Sequence, residues 1–310
     1  MTDNNRYEVV VVGGGAAGLS AALVLGRARR RTLVVDAGEP RNAPAAHMQG
    51  YLSRDGMSPA KFLAVGREEI ARYGVELVRD RVVDAARDTD FTVVLAGGRT
   101  VRARQLVIAT GLRDELPPVP GLAERFGRDV VHCPYCHGWE VRDLPTGVLA
   151  GTALSVHQAL MVTQWSKDVR LFLNEVGESE LTEEDRRRLR AAGVVVVPGA
   201  VAELVVADDR LTGVRLADGT VHDREVLYAA PRAVPNNDLL VRLGAELRET
   251  PFGSYPVIDE RGLTSVPGLW AAGNASGFAE QVINAASRGY RAGSAINADL
   301  LFTALDKNAP

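Results

Sequence analysis

The residues with the clearest chemical potential in this chain are its two cysteines, which lie three positions apart between two histidines. They belong to the segment Val131-His132-Cys133-Pro134-Tyr135-Cys136-His137. Thiols at this spacing close readily to a disulfide, and one of them forms a thiolate more easily than an isolated cysteine does. A neighbouring histidine can accept or donate a proton near neutral pH. The segment therefore predicts a redox-active pair served by a histidine.

Three other interpretations use the same residues. Zinc is disfavoured because ligands adjacent in sequence rarely converge on one tetrahedral ion, and the chain has no second C-x-x-C motif. Residues 133–137 also have the haem-attachment pattern C-x-x-C-H, but that chemistry needs export, and no export signal is predicted at the N terminus. A pair of inert core thiols is the third interpretation. We favour the redox pair, and we predict no metal site.

A second group of residues, near the N terminus, has the pattern of a dinucleotide site. Residues 7–12 predict a buried strand, the Ala/Leu-rich stretch after them predicts a helix to about residue 29, and residues 32–35 predict a second strand that ends in Asp36. Gly13 permits a tight turn, Gly15 leaves room for a pyrophosphate, and Gly18 allows close packing of helix on strand. Asp36 can accept hydrogen bonds from a ribose.

The same order of elements recurs later in the chain. Residues 147–151, 155–164 and 169–173 predict a strand, a helix and a strand. Each copy continues with a hairpin and another strand, at 91–95, 99–104 and 106–109 in the first copy and at 214–216, 220–223 and 225–230 in the second. A last piece has a short strand at 269–272 and a helix from 281 to about 301. This internal repeat predicts an α/β fold with two Rossmann-like dinucleotide-binding domains.

The second copy lacks most of the groups that hold a dinucleotide in the first. When Gly151 is placed on Gly13, the residues that fall on Gly15, Gly18 and Asp36 are Ala153, Val156 and Asn174. The acids that follow, at 175, 178 and 180, would repel a 2′-phosphate. We therefore expect a retained fold with a degenerate nicotinamide site. A divergent but working site is the alternative.

Composition excludes several classes of protein. The 36 basic and 39 acidic residues give a formal net charge of −3 without a basic block, so we expect no nucleic-acid partner. Two cysteines cannot make a multi-bridge secreted scaffold. No stretch approaches the eighteen apolar residues of a membrane span, so we expect no membrane partner and a cytoplasmic location.

Taken together, the motifs resemble the low-molecular-weight thioredoxin-reductase family of flavoproteins over nearly the whole chain. The matching parts are GGGAAG with Asp36, IATG at 108–111, the C-x-x-C pair, and TSVPGLWAAGN to QVINAA at 264–286. The resemblance implies three-layer ββα domains. It implies a discontinuous FAD-binding domain, residues 1–112 and 245–310, and an inserted NAD(P)-binding-like domain, residues 113–244, that carries the cysteine pair. It also implies a homodimer.

The same resemblance implies which residues hold the FAD. They are Gly13, Gly14, Gly15, Ala16, Gly18, Asp36, Arg41, Asn42, Thr110, Gly111, Gly273, Asn274, Gln281 and Val282. Arg41 could instead be a solvated loop charge, and Gln281 could be a surface residue of the last helix. NADPH is not expected to bind, because the basic segment of the reductases is absent.

Two departures point to one branch of the family. His137 and Asn274 stand where the reductases usually have aspartates, and CPYCHGWEVRD resembles the dithiol oxidases that close disulfides in holomycin, gliotoxin and romidepsin, with the bacterial holomycin type nearest. This branch implies that a small dithiol attacks Cys133, that Cys136 passes electrons to FAD, and that O2 then yields H2O2. It implies a role in sulfur-containing antibiotic biosynthesis or self-protection. His137 is the implied base, and His132 is the alternative.

Two other functions stay open on the sequence. One is a thioredoxin-type disulfide reductase that uses NADPH or ferredoxin. The other is a flavin or metal protein that senses redox state without catalysis. The dithiol itself is not identified: Tyr135, Trp139 and Phe278 could line a pocket, and each could equally belong to the core.

Overall fold

The computed structural model describes residues 5–152 and 155–308, and the chain divides into two compact units. The first unit comprises Met1–Ala43, Met57–Arg113 and Ala233–Pro310, and the second comprises Pro44–Gly56 and Asp114–Arg232. The chain thus returns to the first unit at Ala233, before the predicted residue 245. The reason is that Leu239 and Leu240 are buried in the core of the first unit.

The first unit is built on a sheet whose parallel strands carry mostly buried, β-branched residues. In spatial order these strands are Glu76–Arg79, Thr32–Asp36, Arg6–Val12, Thr100–Ile108 and Leu269–Ala271. Such continuous apolar runs are expected of parallel strands, because both faces of the sheet are covered.

Different layers cover the two faces of this sheet. One face packs against the helices Ala16–Arg27, Pro59–Ala71 and Val282–Asn308. The other packs against an antiparallel meander that includes Val82–Arg87 and Phe91–Leu95, and against the helix Asp238–Arg242. The predicted three-layer α/β arrangement is confirmed.

One predicted break in the chain is wrong. Residues 99–104 and 106–109 were expected as two strands, whereas the structure has the single strand Thr100–Ile108. Its first part pairs antiparallel with Phe91–Leu95 of the meander, and its last three residues pair parallel with Leu269–Ala271. One strand therefore belongs to two layers, and a local pattern of residues does not reveal this.

The second unit repeats the design. Its parallel strands, in spatial order, are Val195–Val197, Val169–Phe172, Thr146–Leu149, Val226–Ala229 and Val130–Val131. Its antiparallel layer is Val201–Ala207, Arg210–Leu216 and Val221–Asp223. Its helices are Leu122–Arg125, Pro134–His137, Ser155–Val162 and Glu183–Ala191, with a 3-10 turn at Glu178–Glu180. The predicted internal repeat is confirmed.

The register of the repeat differs by one residue from the predicted overlay. The amide of Gly13 donates to the Val35 carbonyl, and the amide of Ala150 donates to the Phe172 carbonyl in the same way, both at 2.8 Å. Ala150, not Gly151, therefore matches Gly13. The residues at the places of Gly15, Gly18 and Asp36 become Thr152, Ser155 and Leu173. Ala153 of the earlier overlay lies outside the described residues.

The remaining elements are short. Two-stranded sheets pair Leu112–Glu115 with Arg232–Pro235 and Leu247–Thr250 with Gly253–Pro256, and a 3-10 turn spans Gly273–Ala275. Within residues 5–152 and 155–308, no helix combines the length and the apolar character that crossing a membrane requires.

Candidate functional site

In the glycine-rich turn of the first unit, two glycines are required by contacts within the chain, and one leaves open surface. A Cβ on Gly13 would lie 2.3 Å from the Ala109 oxygen, and one on Gly18 would lie 1.9 Å from the Gly13 oxygen. A Cβ on Gly15 would meet nothing within 4 Å in the part of the chain that is described. Gly15 thus leaves open surface at the start of the helix that begins at Ala16, as a pyrophosphate requires.

Asp36 closes this turn from the next strand. Its Oδ1 accepts from the amides of Gly14 at 3.2 Å and Gly38 at 3.1 Å. Its Oδ2 faces the guanidinium groups of Arg67 at 3.4 Å and Arg79 at 3.8 Å. The two arginines were not predicted, because they come from a helix and a strand far along the chain. They place positive charge where an anionic dinucleotide would lie.

Arg41 and Asn42 follow in a turn closed by the amide of Ala43, which donates to the Pro40 carbonyl at 3.0 Å. Both residues are half-buried. Their predicted contact with a nucleotide stays a prediction.

Thr110 and Gly111 lie directly beside the glycine-rich turn, since a Cβ on Gly13 would be 3.2 Å from the amide of Thr110. They are held by Asn236. The Thr110 hydroxyl donates to the Asn236 carbonyl at 2.8 Å, the Asn236 side-chain amide donates to the Thr110 carbonyl at 3.0 Å, and the Asn236 backbone amide donates to the Gly111 carbonyl at 3.2 Å. The sequence contains no signal for Asn236, because this contact spans 126 residues.

Gly273 and Asn274 approach the same turn from the last strand of the sheet. A Cβ on Gly273 would lie 2.8 Å from that of Ala17. The Asn274 amide donates to the carbonyls of Gly277 at 3.1 Å and Phe278 at 3.0 Å. An aspartate could not make these two bonds. Because both N–H groups of Asn274 serve the loop, its oxygen is the group it can offer to a ligand hydroxyl.

The final helix begins at Val282, and Gln281 precedes it as an exposed residue. The Gln281 carbonyl accepts from Ala285 at 2.8 Å. Further along this helix, Gly289 touches the backbone of Ala17, because a Cβ there would lie 1.9 Å from the Ala17 oxygen. The structure thus brings Asp36, Thr110 and Gly273 against the glycine-rich turn or the helix that follows it, whereas a place for Arg41, Asn42, Gln281 and Val282 at the cofactor stays a prediction.

The corresponding turn of the second unit uses its polar groups internally. The Gly151 amide donates to the Ser155 hydroxyl at 3.2 Å, and Asn174 Oδ1 accepts from the Val201 amide at 3.0 Å. Leu173, at the place of Asp36, is buried and offers no side-chain hydrogen-bonding group. The place of Asp36 thus lacks a side-chain acceptor in the second unit, and the expectation that NADPH does not bind stays a prediction.

The cysteine segment forms one helical turn after the strand Val130–Val131. The amides of Cys136 and His137 both donate to the Cys133 carbonyl, at 3.1 and 3.2 Å. The Gln158 side chain donates to the His132 carbonyl at 2.6 Å. Gly138 ends the turn against a ring, since a Cβ there would lie 2.6 Å from the Trp165 indole. Cys133 and Cys136 are half-buried thiols.

His137 is poised as a proton acceptor. Its Nδ1 is buried and has no hydrogen-bond partner among the described residues. Burial lowers the pKa of His137, and the charge of Glu140 and the Cys133 carbonyl oppose this effect without reversing it. The lowered pKa favours the neutral imidazole at pH 7, and the role of His137 as the base stays a prediction.

The predicted pocket aromatics are exposed rather than core residues. Tyr135 and Trp139 are 73 % and 66 % exposed on either side of Cys136. The Trp139 ring lies under the Arg142 guanidinium at 4.1 Å. In the first unit, Phe278 is 39 % exposed and stacks on Phe252 with ring centroids 3.8 Å apart.

Comparison with known proteins identifies the family. Residues 7–289 match the pyridine nucleotide-disulphide oxidoreductases. The chain belongs to this family. It is 34 % identical to the thioredoxin reductase sirT of Leptosphaeria maculans, over 94 % of this chain and 93 % of that protein. It is 32 % identical to the thioredoxin reductase tcpT of Claviceps purpurea, over 97 % and 96 %.

Two solved structures superpose closely on this chain. The crystal structure of HlmI superposes with a TM-score of 0.94 at 48 % identity, over 99 % of this chain and 96 % of that one. An oxidoreductase from Agrobacterium tumefaciens superposes with a TM-score of 0.90 at 38 % identity, over 96 % and 99 %. The predicted resemblance to thioredoxin-reductase-like flavoproteins is confirmed.

Members of the family are flavin-dependent, so FAD is the expected cofactor. The open cradle at Gly15 and the acceptor at Asp36 fit the pyrophosphate and the ribose. Among residues 5–152 and 155–308, no group of three or more His, Cys, Asp or Glu side chains is arranged to hold a metal ion.

Proposed function

We propose that this protein oxidises a small-molecule dithiol to its disulfide through Cys133 and Cys136, with FAD as cofactor and O2 as final acceptor. One observation carries the proposal. The second unit keeps the cysteine pair with His137 next to Cys136, while the buried Leu173 stands at the place of Asp36 and Ser155 Oγ already accepts from the Gly151 amide. Electrons are therefore supplied by thiols and not by NADPH.

The first exchange opens the enzyme disulfide. A substrate thiolate attacks the sulfur of Cys133, the Cys133–Cys136 bond breaks, and its electron pair leaves on Cys136. His137 accepts the proton that the substrate thiol loses, because its imidazole is neutral at pH 7. The product of this step is a mixed disulfide between Cys133 and the substrate.

The second exchange releases the product. The remaining thiol of the same substrate loses its proton and attacks the substrate sulfur in the mixed disulfide. That bond breaks, and Cys133 leaves as a thiolate. The substrate has lost two electrons and two protons: the cysteine pair has gained the electrons, His137 holds the first proton, and the second leaves to solvent.

The residues that would hold FAD are the glycine-rich turn, Asp36 with its two arginines, and the segments at Thr110 and Asn274. When bound, FAD supplies a two-electron acceptor for the reduced pair, so that the net reaction converts dithiol and O2 to disulfide and H2O2. The residues of the chain orient this cofactor, and the cysteine pair alternates between its disulfide and its reduced form.

The exposed aromatic rings favour a small apolar substrate. Tyr135 and Trp139 flank the pair and present flat apolar surface at low cost in conformational entropy. We propose a dithiol intermediate of sulfur-containing natural-product biosynthesis or self-protection, acted on in the cytoplasm by a homodimer.

Oxygen consumption tests the proposal directly. The flavin-loaded protein is mixed with a panel of small dithiols, including dithiothreitol and reduced holomycin, and separately with reduced thioredoxin. We expect a small dithiol to drive oxygen uptake with one H2O2 formed per disulfide. Cys133→Ser and Cys136→Ser should abolish the uptake.

The alternative, a thioredoxin-type reductase, predicts the reverse pattern. Reduction of a thioredoxin disulfide by NADPH, without oxygen uptake on small dithiols, would overturn the oxidase proposal. Oxygen uptake that persists in both serine variants would remove the cysteine pair from the mechanism.

A further inference from the structure

A buried tyrosine lies beneath the cysteine segment in the second unit. Tyr228 belongs to the strand Val226–Ala229 and pairs in register with Val131, two residues before Cys133. Its side chain is in the core cluster that contains Val131 and Val148, and the residue is 1 % exposed. Water therefore does not reach the hydroxyl.

The hydroxyl of Tyr228 has no hydrogen-bond partner among the described residues. A phenylalanine would fill the same space without burying an unpaired polar group, so packing does not account for the hydroxyl. In the same part of the chain, His137 Nδ1 and Gln158 Oε1 are also buried without partners. Gln158 donates to the His132 carbonyl, so all three atoms belong to residues in or against the redox turn. Unpaired polar atoms in these places fit a site whose partners form during the reaction.

The charged groups that act on Tyr228 come from this segment. Burial raises the pKa of Tyr228, and negative charge on Cys133, Cys136 or Glu140 raises it further. The hydroxyl consequently stays protonated throughout the working pH range, and it can act only as a donor towards a thiolate.

We infer that the buried hydroxyl of Tyr228 donates a hydrogen bond to the thiolate that forms on the cysteine pair when its disulfide is opened. The bond requires a charged sulfur: the hydroxyl makes no hydrogen bond among the described residues of this structure, where both cysteines are free thiols, and a neutral disulfide carries no such charge. The bond stabilises the leaving sulfur in both exchanges, because a hydrogen bond to a charged acceptor is stronger than one to a neutral acceptor. The inference deepens the proposed function and rests on its thiol exchange.

Thiolate titration of single-cysteine variants tests this. Cys136→Ser leaves Cys133 as the chain's sole cysteine, and Cys133→Ser leaves Cys136. The rate of iodoacetamide alkylation is measured from pH 5 to pH 10 in each background, with and without Tyr228→Phe. We expect Tyr228→Phe to move the thiolate titration of at least one cysteine upward, with alkylation below the midpoint slowed about tenfold.

Tyr255→Phe is the matched control. Tyr255 is also buried, at 3 % exposed, and its hydroxyl donates to the Phe252 carbonyl in the first unit. This variant should leave both titrations unchanged. Tyr228→Met removes the hydroxyl with different packing, so equal shifts in Tyr228→Phe and Tyr228→Met assign the effect to the hydroxyl rather than to the ring.

Unchanged titrations in both cysteine backgrounds, in Tyr228→Phe protein that melts at the parent temperature, would overturn the inference. The titration needs neither substrate nor oxygen. Loss of the proposed oxidase activity and loss of this hydrogen bond are therefore separate results.

Discussion

At the scale of single residues, two buried polar atoms near the cysteine pair have no hydrogen-bond partner among residues 5–152 and 155–308. His137 and Tyr228 both place such atoms in or beneath the redox turn. Their roles differ because burial acts on them in opposite directions. It lowers the pKa of His137 and so leaves an acceptor, whereas it raises the pKa of Tyr228 and so leaves a donor.

Replacing His137 by glutamine tests the acceptor. The pKa of His137 lies below its ordinary value of 6.5, so the imidazole is neutral above that pH and becomes protonated only as pH falls further. We expect the parent rate of dithiol oxidation to fall on the acid side below pH 6.5. In His137→Gln this acid limb should be missing, and the rate should fall to about one hundredth of the parent rate or below.

His157→Gln is the control for this variant, since His157 is exposed on the helix Ser155–Val162 of the same unit. It should keep the parent profile, as measured by stopped-flow kinetics across pH. If His137→Gln kept the parent profile, the base would have to be sought elsewhere, with His132 first.

At the scale of elements, Gly15 and Gly18 of the first turn are glycines for different structural reasons. Gly18 is required by a strand-to-helix contact, since a Cβ there would meet backbone. A Cβ on Gly15 would meet nothing within 4 Å in the part of the chain that the structure describes. Packing of the helix on the strand therefore requires Gly18, whereas we expect that Gly15 is required by the cofactor.

Two alanine variants separate these reasons. Gly15→Ala should leave the melting temperature of the flavin-free protein within about 2 °C of the parent and weaken FAD binding at least about tenfold. Gly18→Ala should destabilise the flavin-free protein by about 1–3 kcal/mol, because the added methyl overpacks the turn. Calorimetry and flavin fluorescence measure the two effects. Parent-like FAD affinity in Gly15→Ala would place the cofactor elsewhere.

At the scale of the whole molecule, two copies of one fold differ in the residues at their nucleotide turns. The first keeps Gly13, Gly15 and Asp36 at its nucleotide turn, and the second has Ala150, Thr152 and Leu173 at the matching places. The second copy instead carries the cysteine turn at the end of the strand Val130–Val131. The carboxyl edge of a parallel sheet is the common place for a functional site, and we predict a different one at this edge of each copy.

Anaerobic titration of the flavin-loaded protein tests this division. A small dithiol should bleach the flavin absorbance, whereas NADPH at equal concentration should leave it unchanged for minutes. The reason is that Thr152 and Leu173 stand where a nicotinamide dinucleotide would need a glycine and a ribose acceptor. Rapid bleaching by NADPH would contradict the prediction and favour the reductase alternative.

The amino-acid sequence by itself determined the layers, the repeat and the candidate site segments. Apolar periodicity and glycine spacing are local properties, so the strands around Gly13 and the turn at Cys133 were predictable from short windows. Only the tertiary structure decided which distant groups complete each site. Asn236 lies 126 residues from Thr110 along the chain, and Arg67 lies 31 residues from Asp36. Tyr228, beneath the cysteine segment, is likewise distant from it in sequence. Even the register of the repeat depended on strand pairing, because a shift of one residue leaves apolar composition unchanged and alters only which backbone groups meet.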